Sequence, residues 1–145
     1  MSQQNLQILL VEDDDVDAEA LGRAFRKLPM PISMTVVKNG LEALALLRGA
    51  HNGNCLPWPY LILLDINMPQ MNGIEFLSEL RQDEALKSSI VFVLTTSNRH
   101  EDKMAAYNKQ VAGYILKSRA GDDFEDIVKL LTTYHRVIEF PPEAV

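Results

Sequence analysis

The chain has 145 residues, the usual size of one domain, and 47% of them are hydrophobic, enough to fill a substantial core. The formal net charge of -6 would repel a phosphate backbone, so we expect no direct binding to nucleic acid. A single cysteine cannot form an internal disulfide, the amino-terminal residues lack the features of a secretory signal, and no apolar run approaches the roughly 18 residues of a membrane span. We therefore expect a soluble cytoplasmic protein without membrane contact.

Short apolar runs alternate along the chain with longer stretches in which apolar residues recur at helical spacing. This pattern predicts five strands, each followed by one helix. The predicted strands contain, in order, Ile8 to Val11, Met34 to Val37, Tyr60 to Leu64, Ile90 to Leu94 and Tyr114 to Leu116. The apolar positions of the five helices begin at Val16, Leu41, Phe76, Met104 and Phe124, and the fourth helix also carries Tyr107.

Strict alternation of strands and helices is typical of a parallel sheet covered by helices on both faces, and the nearly continuous apolar strands indicate that both faces are buried. We predict a doubly wound α/β domain with strand order 2-1-3-4-5. Two segments fall outside the pattern. Gly49 to Pro59 is a long connection rich in turn residues, and Val137 to Val145 extends beyond the last helix.

Polar residues suited to chemistry follow four of the predicted strands. Glu12 and Asp13 follow the first, Asp65 the third, Thr95 the fourth and Lys117 the fifth. Ligands of open α/β sheets bind at the carboxyl ends of the strands, and order 2-1-3 makes the first and third strands neighbours. Three carboxylates crowded there need a cation, and an all-oxygen set suits Mg²⁺. The sequence thus predicts a magnesium site.

Such a site favours covalent phosphoryl transfer to a carboxylate. Asp65 can act as the nucleophile, while Mg²⁺ and the ammonium of Lys117 stabilise charge on the transferring oxygens. The Thr95 hydroxyl can donate a hydrogen bond to one of these oxygens.

Several dispersed motifs together resemble the receiver domain of bacterial response regulators. They are V-E-D-D at 11–14, L-D-I-N-M-P at 64–69 with N-G at 72–73, L-T-T-S at 94–97 and G-Y-I-L-K at 113–117. The resemblance spans residues 6–136 and implies a flavodoxin-like, CheY-like three-layer sandwich. It also implies a phosphorylation switch loaded by a sensor histidine kinase, not an enzyme, with at most slow self-phosphorylation and self-dephosphorylation. Residues 137–145 would then form a carboxyl-terminal extension.

The same resemblance assigns roles to individual residues. Asp65 would be the phosphoacceptor. The implied metal ligands are Glu12, Asp13, Asp65 and the main-chain carbonyl of Asn67. Thr95 and Lys117 would sense the phosphoryl group, and Tyr114 would follow Thr95 inward, changing the surface of the fourth helix and the last strand.

One position departs from the pattern of the family. The lysine at this site is usually followed by proline, commonly with a cis peptide bond, whereas Lys117 precedes Ser118. Because a cis bond before a non-proline residue costs about 2.5 to 4 kcal/mol, we expect a trans bond and a reshaped loop.

The acidic residues are also found in three other kinds of site. A haloacid-dehalogenase-type phosphohydrolase resembles Asp-x-Asp, but the second position here is Asn67, which cannot serve as a general acid or base. A nucleotide-binding module would need a glycine-rich loop after the first strand, and the EF-hand spacing of Asp13 fails because Ala18 replaces the required glycine. Asp14, Asp15 and Asp17 could each belong to the metal site, but we expect them to cap the first helix or to interact favourably with its dipole.

Some polar residues carry no assigned chemistry. His51, His100 and His135 lack metal-ligand spacing, and Cys55 has no activating partner in the sequence. For Thr96 and Ser97, which follow the fourth strand, a role in phosphate lifetime and a role in the turn both stay open.

Among receivers, the chain looks most like the regulators paired with bacterial or cyanobacterial phytochrome kinases, through its long 49–59 connection and extended tail. Such regulators commonly form homodimers, and Val137, Ile138 and Phe140 offer apolar groups that a second copy could bury. The alternative is that these residues pack within their own chain. With no room for a separate output domain, we expect the signal to leave through protein contacts.

Overall fold

Five strands and five α-helices alternate in the computed structural model of the protein, which describes residues 5–49 and 56–143. The strands are β1 (Leu6–Val11), β2 (Ile32–Val37), β3 (Tyr60–Leu64), β4 (Ile90–Thr95) and β5 (Gly113–Leu116). The helices are α1 (Asp15–Arg26), α2 (Gly40–Leu47), α3 (Gly73–Gln82), α4 (His100–Asn108) and α5 (Glu125–Val137). Two 3-10 turns, Lys117–Arg119 and Asp122–Phe124, connect β5 to α5.

The strands form one parallel sheet in the order β2-β1-β3-β4-β5, which confirms the predicted topology. The register aligns the carboxyl ends of the central strands. Val11 at the end of β1 lies beside Leu64 at the end of β3, and Leu64 lies beside Val93 of β4. The residues that follow these strands therefore emerge at one edge of the sheet.

Both faces of the sheet are buried at the central strands β1, β3 and β4, as their apolar runs predicted, whereas the edge strands β2 and β5 are only partly buried. Successive side chains of β3 point to opposite faces, so Ile62 packs into one hydrophobic layer and Leu63 into the other. Helices α2, α3 and α4 cover the first layer, and α1 and α5 cover the second. This arrangement is the predicted three-layer sandwich.

Four residues used to predict helices are exposed. Val16, Leu41, Met104 and Tyr107 have 51–74% of their surface exposed. Val16 lies in the first turn of α1, beyond the buried stripe of that helix, and α4 packs on the sheet through the small side chain of Ala106. Apolar spacing identified these helices correctly, but these four of the apolar residues it relied on face solvent instead of the core.

The carboxyl-terminal segment folds back onto the domain in part. The Phe140 ring makes edge contacts with Tyr134, at 6.3 Å between ring centroids, and with His135, at 5.8 Å. The Trp58 indole nitrogen donates a hydrogen bond of 3.1 Å to the carbonyl of Pro141. Val137 and Ile138 stay exposed. Phe140 therefore packs within its own chain and not, as the dimer expectation had it, against a second copy. For Val137 and Ile138 the dimer stays a prediction.

His51 and Cys55 lie outside the described residues. None of the helices within residues 5–49 and 56–143 has the length and apolar character needed to span a lipid bilayer.

Candidate functional site

The main chain places Glu12 and Asp65 side by side at the carboxyl edge of the sheet. The pattern of parallel pairing continues one residue past the strands, because the Asp65 amide donates to the carbonyl of Val11 at 3.0 Å. The Glu12 amide donates in turn to the carbonyl of Val37 at 2.9 Å. The two acidic residues are therefore held by sheet hydrogen bonds rather than by flexible loops.

A glycine allows the chain after Asp65 to turn back tightly into α3. The Gly73 amide donates to the carbonyl of Ile66 at 2.9 Å, and a Cβ at Gly73 would lie only 2.4 Å from the carbonyl oxygen of Asp65. Asn72 caps α3 and forms a capping box with Glu75, so the helix starts at a fixed point. This local packing fixes the main chain that carries Asp65.

The loop after β1 distributes its acidic residues among different tasks. Asp14 is the N-cap of α1 and accepts hydrogen bonds from the amides of Val16 and Asp17, at 2.9 and 3.2 Å, as predicted. Asp15 forms an ion pair with Lys38. The carboxylate of Asp17 points elsewhere, to the ammonium of Lys117.

Three carboxylates meet at the edge of the sheet. Glu12, Asp13 and Asp65 each offer an oxygen, and these oxygens lie within 4.8 Å of one another. Glu12 is 1% exposed and Asp65 8%, whereas Asp13 is open to solvent. The set has only oxygen ligands and reaches solvent on one side, which fits a hard divalent cation that keeps part of its water shell.

Burial makes the charge of Glu12 costly. Loss of hydration is the main cause that raises its pKa to about 7; the contact with Lys117 opposes the shift, and the nearby charge of Asp65 adds to it. A cation bound to the cluster would offset the same cost.

Lys117 brings a buried positive charge to this cluster. Its Nζ lies 2.6 Å from Glu12 Oε1, 2.7 Å from Asp17 Oδ2 and 3.8 Å from Asp65 Oδ2. Burial alone would lower the pKa of Lys117, but the contacts with Asp17 and Glu12 more than reverse this effect and the pKa is raised. The ammonium is therefore charged at neutral pH. The peptide bond between Lys117 and Ser118 is trans, as predicted. Among the described residues, the one cis peptide bond is Trp58–Pro59.

Hydrogen bonds connect Thr95 to the surface of α4 and β5. Thr95 is fully buried, and its hydroxyl oxygen accepts a hydrogen bond of 3.3 Å from the amide of Ser97. The Tyr114 hydroxyl donates to the carbonyl of Ser97 at 2.9 Å, and the Tyr114 amide donates to the Tyr107 hydroxyl at 3.2 Å. A change at Thr95 therefore has a short path to α4.

Ser97 also anchors the start of α4. Its hydroxyl donates to Asp102 at 2.5 Å and accepts a hydrogen bond of 3.4 Å from the Arg99 amide. These contacts support the turn-forming role for Ser97, while Thr96 is exposed. Asn67, expected to contribute a main-chain carbonyl to the metal, lies two residues after Asp65 in an exposed part of the loop.

Sequence reasoning did not identify the contact of Asp17 with Lys117. Asp17 stands three residues after the N-cap Asp14, where an acidic residue commonly supports the start of a helix, so its sequence position indicates no contact with a distant lysine. A partial signal was available: Asp17 lies one helical turn before Leu21, which is fully buried. Its side chain therefore stands near the face of α1 that packs on the domain.

Comparisons with known proteins agree with this geometry. The family model described as response regulator receiver domain matches residues 8–129. Response regulator Rcp1 of Synechocystis sp. is 36% identical over 124 residues, covering 86% of this chain and 82% of the relative. Probable methanogenesis regulatory protein FilR2 of Methanothrix harundinacea is 35% identical over 127 residues, covering 88% and 81%.

Solved structures of response regulators also match this chain. The Mn²⁺-bound form of response regulator Rcp1 has a TM-score of 0.82 at 32% identity and covers 94% of this chain and 99% of its own. The phosphorylated cyanobacterial phytochrome response regulator RcpA has a TM-score of 0.83 at 32% identity, covering 96% and 100%. The chain therefore belongs to the response regulator receiver domain family.

Proposed function

We propose that the protein accepts a phosphoryl group from a sensor histidine kinase on Asp65, with Mg²⁺ as cofactor, and passes the signal on through protein contacts. The observation that carries this proposal is the cluster of Glu12, Asp13 and Asp65 with the ammonium of Lys117 beside it. A receiver that has bound Mn²⁺, Rcp1, and one that has been phosphorylated, RcpA, share this fold.

In the proposed reaction, a carboxylate oxygen of Asp65 attacks the phosphorus of a phosphohistidine. The new O–P bond forms as the P–N bond breaks, and the electron pair of that bond leaves with the imidazole nitrogen of the kinase. Glu12, Asp13, Asp65 and the main-chain carbonyl of Asn67 would hold Mg²⁺, which offsets negative charge on the phosphoryl oxygens when it is bound.

The side chains around Asp65 then respond to the new charge. The ammonium of Lys117 stabilises one phosphoryl oxygen, and the hydroxyl of Thr95 donates a hydrogen bond to another. The hydrogen-bonded path from Thr95 through Ser97 to Tyr114 carries the change to α4 and β5. Tyr114 is therefore the proposed switch residue, and the output is an altered binding surface.

The phosphorylated state is expected to persist. Asn67 stands where a phosphohydrolase with an Asp-x-Asp motif has its second carboxylate, and an amide cannot activate water as a general base. We therefore propose a switch with slow self-phosphorylation and self-dephosphorylation rather than a turnover enzyme.

The proposal extends to partners and location. RcpA is described as a phytochrome response regulator, and its 32% identity over nearly the full chain supports a phytochrome-type kinase as the donor. Because histidine kinases draw their phosphoryl groups from ATP, we place the protein in the cytoplasm. The receiver unit would comprise residues 6–136, with 137–145 as its extension.

We further propose a homodimer that uses α5 and the tail. Leu130 and Val137 are seven residues apart on one face of α5, with 45% and 66% of their surface exposed, and Ile138 continues this patch at 40%. Exposed apolar residues that adjoin one another favour burial against a second copy.

Intact mass after incubation with acetyl phosphate and Mg²⁺ tests the phosphorylation. We expect one phosphoryl adduct in the wild type and none in Asp65→Asn or without Mg²⁺. Asp15→Asn is the matched control, because Asp15 is an acid of the same loop that pairs with Lys38 outside the cluster, and it should be labelled as wild type is. An adduct that survives in Asp65→Asn would assign the acceptor to another residue, and a wild type that is never labelled would contradict the proposal.

A further inference from the structure

The ammonium of Lys117 has one more donor than its two close carboxylates require. It carries three N–H groups; it donates a hydrogen bond of 2.7 Å to Asp17 Oδ2 and forms an ion pair with Glu12 Oε1 at 2.6 Å. The nearest oxygen of Asp65 is at 3.8 Å, too far for a direct hydrogen bond. A phosphoryl group attached to Asp65 would add oxygens on this side of the ammonium.

We propose that Asp17 is a positioning residue that, together with Glu12, holds the Lys117 ammonium with one N–H left for the phosphoryl group on Asp65. This inference rests on the proposed function and adds to it a residue outside the carboxylate cluster. Asp17 acts through Lys117 and contacts neither the cation nor the phosphoryl group.

Asp17 is well placed for this task because its backbone is rigid. It stands in the first turn of α1, where two amides are capped by Asp14, and one turn later Leu21 is fully buried in the core. Lys117, in contrast, has a flexible stem of four carbons and begins a 3-10 turn whose next two residues are exposed. The ion pair with Asp17 holds the Lys117 ammonium in place before the reaction. This lowers the entropy that the side chain of Lys117 must lose in the transfer step.

Glu12 alone could not hold the Lys117 ammonium in this position. It belongs to the carboxylate cluster, so a bound cation and the ammonium compete for its oxygens. Asp17 is not part of that cluster and keeps its oxygens for Lys117 when a cation is present. Without Asp17, the ammonium would settle among the three carboxylates and compete with the cation.

A double-mutant cycle on beryllofluoride binding tests the inference. Beryllofluoride with Mg²⁺ mimics a phosphoryl group on a carboxylate, and its affinity can be measured by calorimetry without turnover. We expect Asp17→Asn to weaken binding about tenfold in the wild-type background, the size of a direct coupling, and to change it less than about twofold when Lys117 is already Ala. Asp17→Ala should match Asp17→Asn, and Asp15→Asn should bind as wild type does.

The outcomes separate this inference from the proposed function. If wild type binds beryllofluoride and Asp17→Asn binds it equally or more tightly, the inference is wrong while the proposed function stands. The same conclusion follows if the loss in Asp17→Asn persists in the Lys117→Ala background, since Asp17 would then not act through the lysine. A wild type that binds no beryllofluoride overturns the proposed function and the inference together.

Discussion

At the scale of single residues, Glu12 is the carboxylate at which a proton and a metal ion compete most directly for the same oxygens. Its pKa is raised from 4.5 to about 7, chiefly by burial, with Lys117 opposing the shift and Asp65 adding to it. The folded protein therefore holds this proton more tightly than the unfolded chain does. A divalent cation has to displace it before it can use the carboxylate.

We expect the affinity for Mg²⁺ to rise with pH from about 6 and to level off near pH 8, because Glu12, with its pKa of about 7, loses its proton over that range. Glu12→Gln should bind Mg²⁺ more weakly and lose most of this pH dependence. Calorimetric titration at several pH values would measure both effects. A wild-type affinity that stays constant from pH 6 to 7.5 would contradict the assignment of Glu12 as a ligand.

Sequence reasoning named most of the residues that meet at this site, because their positions follow from topology. Once the strand order is known, any residue directly after β1 or β3 lies at the same edge, which placed Glu12 beside Asp65. Side chains on helices have no such constraint. The direction of Asp17 depends on how α1 is rotated against the sheet and on where a lysine one hundred positions later points, and neither is encoded in local spacing.

At the scale of elements, the connection from β3 to α3 is the tightest part of the site. Gly73 lies against the main chain of Asp65 and Ile66. A Cβ at Gly73 would lie 2.4 Å from the carbonyl oxygen of Asp65 and 2.9 Å from the Cα of Ile66. Backbone atoms cannot move aside as a flexible side chain does. The start of α3 and the position of Asp65 are therefore coupled.

We expect Gly73→Ala to lower the free energy of unfolding by about 1 to 3 kcal/mol and to slow labelling by acetyl phosphate, since the added methyl displaces the chain that carries Asp65. Urea unfolding and intact mass would measure the two effects. Gly22→Ala in α1 is the matched control. Its Cβ would meet the end of the flexible Arg26 side chain at 3.1 Å, so we expect unchanged labelling and up to about 1 kcal/mol of added stability. Equal effects of the two substitutions would contradict this account.

Elements were predicted well where they are buried and less well where they are not. The β3 strand is buried at every residue, so its apolar run was unmistakable. In α4 only Ala106 is buried among the described side chains, and the spacing of Met104 and Tyr107 suggested an inward face that the helix does not have. Tyr107 instead reaches β5 through its hydroxyl, a contact that apolar periodicity cannot indicate.

At the scale of the whole molecule, the last residues divide between two environments. Phe140 packs against Tyr134 and His135, and Pro141 accepts a hydrogen bond from Trp58, so this part of the tail belongs to its own domain. Leu130 and Val137 remain exposed on α5. An apolar patch next to a segment held in place offers a second copy a surface that needs little further ordering to bind.

We expect the wild type to sediment as a dimer and Leu130→Ser/Val137→Ser to sediment as a monomer, because the substitutions remove apolar area that the partner copy would cover. Stability should change little, since both side chains are exposed and Phe140 keeps its contacts. Val36→Ser, an exposed valine on the edge strand β2, is the matched control and should leave the dimer intact. Truncation after Tyr134 should likewise give a monomer. A double variant that remains dimeric would show that the copies associate through another face, and a monomeric wild type at high concentration would rule out the proposed dimer itself.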